Sequence, residues 1–498
     1  MTIVLALSLP VGAYDAIGYR LPAVAQWLDA GGFAWVVGDD PLRNGYPLGL
    51  ELIEATLFAG FASPRAVDAV ASVFLIAGAL ALLGFGRRLA LPTGASELAA
   101  GLFLLVPMHL LNAPSGYADA AFAGAMVCTL IAVARLELRD NAWTDLGIAA
   151  AWTMALKPHG IAYAGLALAV AGVRRARTWR DPMKCALIAG TGTAFAVRNV
   201  LIAKNPLYPL EVRIAGKVVL PGREPLDGIL TPAFNVPAEL ASLPSWLRPL
   251  WVWLQPHGPA RSYDDRLAGL GYAFVLLALP AMLWLVLRAR GEVPRAFSVL
   301  LALSGACFAL QPLSFWSRFT SWLWGAGALA LALLVGQLIE LGRARLALAL
   351  VVMSLHLAVP EAAYALAHVK SLHKLALWDM SPSERLARLS ELEPAFIDRA
   401  LANKSNVCRT PWRLGTDDAN LDGVVAQLSP RPRMHVVASR PLSRALSDAA
   451  ARGCDALIVI GDNPIAERAP SQWAAAIERV RAFGIVSLIP VSKLEVTP

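Results

Sequence analysis

Charged residues are scarce in this chain: Asp, Glu, Lys and Arg make up 16% of it, where a soluble domain carries about a quarter. The deficit falls in long blocks without any charge, and such blocks lack the polar face that a soluble amphipathic helix shows at every turn. Cysteine is sparse as well, with five residues and no metal-type spacing, which argues against a zinc module. No Lys/Arg-rich stretch precedes the apolar segment Met1–Ala13, which argues against a cleaved signal peptide. That segment is also short for a full span. Gly31-Gly32 and Gly190–Gly192 do not make a phosphate-loop pattern and suit turns or helix packing. No Ser/His/Asp arrangement can be assembled from sequence order. Neither His109 nor His159 has a second histidine or an acid at ligand spacing.

What is present is hydrophobicity. Apolar residues make up 57% of the chain, and the mean hydropathy is +0.55. The blocks read as membrane spans near Asp68–Phe85, Leu98–Leu111, Ala118–Ala134, Ala142–Leu156, Gly160–Val173, Lys184–Ile202, Leu267–Leu287, Ala296–Leu313, Phe319–Ile339 and Leu346–Ala365. The expected fold class is an α-helical polytopic membrane protein of about ten or eleven transmembrane helices, with a small C-terminal α/β domain.

The net charge of +8 sits mostly on arginines in short loops. It therefore reports orientation before any nucleic-acid partner, and none is expected. Arg87-Arg88, Arg135 and Arg139, Arg174–Lys184, Arg288–Arg295, and Arg343 and Arg345 occupy every second connection. The alternate short connections, Asn112–Tyr117 and Ser314–Arg318, are nearly free of positive charge. Positive-inside bias puts the basic set in the cytoplasm. Ala142–Val173 reads as two short helices that meet at Lys157-Pro158-His159-Gly160, since a single helix would split the basic clusters between the two sides. A turn below the membrane surface is tolerated where protein or a water-filled cavity covers it.

Three parts then face outward. The expected division is a transmembrane domain over residues 1–367, with outer loops 14–67 and 203–266, and an outer α/β domain over residues 368–498. Trp246, Trp251 and Trp253 suit an interfacial belt. In the tail, Met434–Ala438, Ala456–Ile460 and Ile485–Ile489 read as strands of a parallel sheet, with helices Leu442–Arg452 and Ser471–Phe483 between them. Cys408 and Cys454 both fall there, bonded or as two buried thiols.

Against the positive-inside pattern, basic residues on the outer side are the unusual ones: Lys157, Arg198, Lys204 and Arg318. Any one alone could snorkel to headgroups. Together they sample three places on the outer face and suit a phosphate or diphosphate, which Arg meets with a fork and Lys with a point charge. The outer carboxylates are Asp15, Asp39, Asp40, Glu51 and Asp119. Asp119 opens a span, where the helix dipole alone would favour it. Asp15, just past the first apolar segment, could cap a helix, yet an acid at such a depth is a functional candidate by default.

The segment Asp15-Ala16-Ile17-Gly18-Tyr19-Arg20-Leu21-Pro22, then Trp27-Leu28, Tyr46-Pro47 and Glu51-Leu52, resembles the first outer loop of bacterial integral-membrane glycosyltransferases of the GT-C superfamily. Tyr117-Ala118-Asp119, Lys157-Pro158, Asn205-Pro206-Leu207-Tyr208-Pro209 and Arg318-Phe319 are similar to later landmarks of that group, and the resemblance spans roughly the first two thirds of the chain. It implies a hexosyl- or pentosyltransferase of the bacterial inner membrane, working on the periplasmic side beside the periplasmic C-terminal domain. It also implies a polyprenyl-phosphate-linked sugar as donor and an envelope glycan, lipid or protein as acceptor. Carried over, Asp15 is the general base and Asp119 the second acid. Lys157, Arg198 and Arg318 hold the donor phosphate; Lys204 joins that set on its outer position alone, with His159, Tyr19 and Glu51 as further candidates. Ala16 stands where protein O-mannosyltransferases carry the second acid of an Asp-Glu pair, so a protein acceptor gains no support. A lipid phosphate is a good leaving group, so no cofactor is required, and a divalent metal is compatible with the chemistry. The alternatives are a transporter or flippase for an anionic lipid-linked substrate, which should show paired interrupted helices, and a non-catalytic membrane scaffold.

Overall fold

The computed structural model describes residues 16, 20–35, 42–61, 69–176, 178–214, 216–222, 224–225, 236–254, 260–287, 292–311 and 313–368, and in the tail five strands and residue 451. Asp15, Tyr19, Asp39, Asp40 and Cys454 lie outside the described residues, as do most of the tail's expected helices.

The first outer segment contributes α1 (Leu21–Ala30), the single turn α2 (Leu42–Gly45) and α3 (Gly49–Phe61). The bundle begins with α4 (Ala69–Arg88), α5 (Thr93–Leu104) and the short α6 (Pro107–Asn112). It continues with α7 (Ala118–Glu137), α8 (Trp143–Leu156) and α9 (Gly160–Arg175). After α10 (Arg180–Gly190), one tighter turn leads into α11 (Ala194–Ala203). A three-stranded sheet follows, β1 (Leu210–Ile214), β2 (Lys217–Leu220) and β3 (Glu224–Pro225). Then come α12 (Ala238–Ala241) and α13 (Leu247–Leu254), and a π-turn at Phe274–Ala278 that opens α14 (Leu279–Leu287). The last helices are α15 (Glu292–Ala309), α16 (Ser317–Thr320), α17 (Leu323–Glu340) and α18 (Ala344–Ala367).

Among the described residues, five rods have the length and apolarity to cross a membrane: α4, α7, the continuous Arg180–Ala203, α17 and α18. The molecule is a polytopic helical membrane protein. At its centre α7 is enclosed almost all round, and it crosses α4 where two glycines meet. A Cβ on Gly78 would lie 3.1 Å from Gly124 Cα, and one on Gly124 would lie 2.0 Å from Phe74 O. Small residues let the backbones touch, which is how helices gain packing where no hydrophobic drive separates them from lipid. The outer rods instead expose Leu187, Leu201, Leu348 and Val352, an apolar surface that suits hydrocarbon.

The hairpin expected at Lys157 is present, with α8 ending at Leu156 and α9 starting at Gly160. Its tightness needs glycine, since a Cβ on Gly160 would meet Thr153 O at 1.9 Å. Two spans differ from expectation. Leu98–Leu111 is divided between α5 and α6, because Pro107 can only start a helix there. Leu267–Leu287 becomes helical only after Gly271, whose φ is +93°. Before it, Asp265 Oδ1 accepts the N–H groups of Leu267 and Ala268 (both 3.2 Å) and holds the chain in a turn. Trp324 Nε1 donates to Leu270 O (2.7 Å) and the Tyr272 N–H to Glu361 Oε1 (2.8 Å), which fix the end of the same loop.

The tail carries a five-stranded sheet in the order β5-β4-β6-β8-β7. Its strands are β4 (Asn406–Arg409), β5 (Arg433–Val436), β6 (Ala456–Ile460), β7 (Glu478–Ala482) and β8 (Gly484–Pro490). The three expected strands are there, but the sheet is mixed. β5, β4 and β6 run parallel, β8 is antiparallel to β6, and β7 pairs antiparallel with β8. Glu478–Ala482 is a strand where a helix was expected, and its charged and apolar residues alternate with the period of a strand.

Candidate functional site

Glu137, at the last position of α7, is contacted by Arg174 and Arg175 from the end of α9 and by Arg295 from α15. Arg88 and Arg135 meet Asp140 at the same level (2.8 and 2.7 Å). The basic loops therefore do share one end of the bundle. The candidate site occupies the other end, about 27 Å away along α7.

Asp119 is the second residue of α7, and its preceding turn is fixed by Ser115, whose Oγ donates to Asn112 O (2.7 Å) and accepts the Tyr117 N–H (3.2 Å). The α8–α9 hairpin brings Lys157 Nζ to 3.1 Å from Asp119 Oδ1, with both side chains buried. Arg318, on α16, places Nη1 3.0 Å from Asp264 Oδ1 in the loop before α14. Its guanidinium lies 4.0 Å from the Trp316 ring, 4.7 Å from Phe319 and 5.2 Å from Tyr117. Lys157 Nζ lies over the other part of this aromatic wall, 5.3 Å from the Phe319 ring. A second buried pair closes the group, Arg20 Nη1 to Glu51 Oε1 at 2.9 Å.

These pairs form one electrostatic unit. The Asp119 carboxylate feels Lys157, Arg318 and Arg20. Glu51 feels Arg20 and Lys157, while burial, the larger influence, raises its carboxyl above the ordinary glutamate range. Arg20, Lys157 and Arg318 are each at most 8% exposed at the side chain, as are Asp119 and Glu51, whereas Asp264 is 41% exposed. Three buried cations, Arg20, Lys157 and Arg318, thus stand together with the buried carboxylates Asp119 and Glu51 and the half-exposed Asp264, and burial strengthens their attraction for an anion. Ala16, the residue after Asp15, is buried with Leu21, Phe58 and Tyr117, on the Tyr117 side of this wall.

Of the residues expected from sequence, the structure gathers Asp119, Lys157, Arg318 and Glu51. His159 is next to them, with its ring 4.8 Å from Phe122, 5.2 Å from Tyr163 and 6.4 Å from Phe319. Arg198 is placed differently. It donates to Asn44 O (2.6 Å) and Asn199 Oδ1 (2.9 and 3.1 Å), and it stacks 5.3 Å over Trp35. Lys204 is exposed, with Nζ 3.2 Å from Leu201 O at the end of its own helix. Among the described residues, no three His, Cys, Asp or Glu side chains gather as metal ligands.

Sequence reasoning missed Arg20 and Asp264 as members of the site. Arg20 was detectable, since it is a cation on the outer side, the same criterion that selected Lys157. Asp264 carried no signal, lying in a polar loop among Asp265 and Arg266.

No family model and no curated protein sequence matches the chain. Among solved structures it is similar to ArnT from Cupriavidus metallidurans in the apo state, with a TM-score of 0.51 and 13% identity over 98% of this chain and 96% of that one. ArnT bound to undecaprenyl phosphate gives a TM-score of 0.52 at 13% identity, over 98% of this chain and 95% of that one. The oligosaccharyltransferase of Archaeoglobus fulgidus in complex with Zn and sulfate gives 0.46 at 12% identity, covering 98% and 72%. At 13% identity the likeness is one of fold: the chain shares the fold of ArnT over nearly its whole length.

Proposed function

We propose that this chain, built on the GT-C fold, is a membrane glycosyltransferase that moves a hexosyl or pentosyl group from a polyprenyl-phosphate donor to an acceptor in the cell envelope. The supporting observation is the convergence of Lys157, Arg318, Arg20, Asp119 and Glu51 from distant parts of the sequence at the end of α7 opposite the arginine-rich loops. Positive-inside bias supports a periplasmic position for that end, and the shared fold of ArnT from Cupriavidus metallidurans supports a bacterial inner membrane. ArnT, which shares the fold, was solved with undecaprenyl phosphate bound, a ligand whose phosphate suits a group of buried cations. The C-terminal sheet domain, residues 368–498, lies on the same periplasmic side in this reading.

The chemistry follows from the residue types. Asp15 takes the proton from an acceptor hydroxyl as that oxygen attacks the anomeric carbon. The bond from that carbon to the phosphate oxygen breaks, and the lipid phosphate departs with the negative charge. Lys157 and Arg318 stabilise that charge as it develops, with aromatic walls that exclude water and strengthen the attraction. Asp119 holds Lys157 in place. Arg198 and Lys204, committed to Asn44, Asn199 and a helix end, shape the surrounding loops in this reading.

The test is transfer in proteoliposomes from synthetic undecaprenyl-phosphate sugars, read by mass spectrometry alongside envelope glycans of a deletion strain. Asp15→Asn should abolish transfer while the protein still folds and inserts. An envelope unchanged by deletion, with no sugar moved from any lipid donor, would overturn the proposal in favour of transport or scaffolding.

A further inference from the structure

The partner that Arg318 holds is unlike every other carboxylate of the site. Asp119 and Glu51 are buried, whereas Asp264 is 41% exposed although its guanidinium partner is only 8% exposed. Asp264 also faces a second cation, with Arg266 Nη2 3.8 Å from its Oδ2. Both guanidinium groups lean on one ring, Trp316, at 4.0 Å for Arg318 and 4.8 Å for Arg266. One carboxylate thus sits between two arginines that share an aromatic floor.

The asymmetry of exposure decides which partner can let go. A carboxylate that is already half wet is rehydrated at little cost when it leaves, but a guanidinium walled in by Trp316, Phe319 and Tyr117 is not. Arg318 therefore favours an anion beside it at all times, and Asp264 supplies one, accepting a hydrogen bond from Nη1. A phosphate offers more charge and several acceptor oxygens to the same fork. The loop that carries Asp264 is tied by Asp265, by the Trp324 bond to Leu270 O and by the Glu361 bond to the Tyr272 N–H. The carboxylate is thus held in readiness by its loop and need only turn about its own side chain.

We propose that Asp264 is a resident anion that occupies Arg318, with Arg266 beside it, until the phosphate of the donor displaces it. It is a positioning residue that competes with phosphate for the buried guanidinium between turnovers and lowers the affinity for phosphate in proportion. The inference rests on the donor reading above and adds a prediction of opposite sign to it: removing a charged residue from the site should tighten ligand binding.

The experiment titrates the full-length protein in nanodiscs with undecaprenyl phosphate, following tryptophan fluorescence, and repeats it with inorganic phosphate. Asp264→Asn should lower the lipid Kd roughly two- to fivefold, the range of a partly exposed ion pair. Asp264→Glu, which keeps the charge, should stay near wild type. If Asp264→Asn loses its thermal transition, Asp264→Ser serves as the second neutral variant. A shift with both ligands assigns the effect to phosphate itself, and a shift with the lipid alone assigns it to a site reached through the membrane; either supports displacement. Wild-type binding that Arg318→Ala abolishes, together with an unchanged or weaker Kd in the folded neutral variants, would overturn the role of Asp264 alone. Absence of lipid binding by the wild type would overturn the donor reading as well.

Discussion

Helix α7 carries a carboxylate ringed by cations at each end, and the two ends are built for different work. Glu137 receives hydrogen bonds from Arg174 (Nε at 2.7 Å, Nη2 at 3.3 Å) and from Arg175. Those arginines are 36% and 22% exposed and Arg295 is 64% exposed, so water carries much of their charge. At the other end Asp119 meets Lys157, and both side chains are buried. The neighbouring cations lean on rings instead of on solvent. The same residue types therefore make a lock where arginines are wet, and in the proposed reading an anion site where the cations are dry.

The largest expected effect breaks that contrast directly. Asp119→Ala should destabilise the protein by about 3–5 kcal/mol, since it breaks a buried ion pair by removing one member. Glu137→Ala should cost about 1 kcal/mol or less, because its arginines turn to water. Chemical denaturation of the two variants in detergent measures both. A somewhat smaller effect is expected on chemistry: Arg318→Ala should lower transfer about 100-fold or more by removing a donor to the leaving phosphate, while Arg174→Ala leaves it unchanged. Gly160→Ala sharpens the comparison through the backbone. Its Cβ would fall 1.9 Å from Thr153 O, and the displaced hairpin should cost about 1–3 kcal/mol in melting experiments. The smallest effect belongs to Lys204→Ala, whose exposed ammonium only caps its helix; transfer should stay within about twofold of wild type.

The two ends also differed in how far the sequence revealed them. The arginine-rich end was legible because a statistical bias of short loops places it, and no side-chain geometry is needed to see it. The outer end was legible as a set of anomalies, cations where the bias forbids them. That criterion selected Lys157 and Arg318, which the structure gathers near Asp119, and equally Arg198 and Lys204, which it places against Asn44, Asn199 and Leu201 O. It could not separate them, because pairing depends on which helix ends meet in space. Asp119 was readable as an acid at a helix start, whereas its contact with Lys157 depends on the depth of the α8–α9 turn. Among the tryptophans, Trp246 is exposed as a belt residue would be, but Trp253 packs 5.6 Å from Phe274 and 5.4 Å from Phe308. Aromatic residues serve interfaces and cores alike, and composition does not distinguish the two. In the tail, β6 was recognised from its apolar run, while β7, rich in charge, was hidden by a helix-like composition.

The most direct measurement compares binding of undecaprenyl phosphate to two double variants of the full-length protein. Lys157→Ala/Arg318→Ala removes two dry cations at the outer end, and Arg174→Ala/Arg175→Ala removes two wet ones at the opposite end. Binding should vanish in the first and persist in the second. Equal loss in both, or loss only in the second, would contradict the assignment of the phosphate to the Asp119 end of α7.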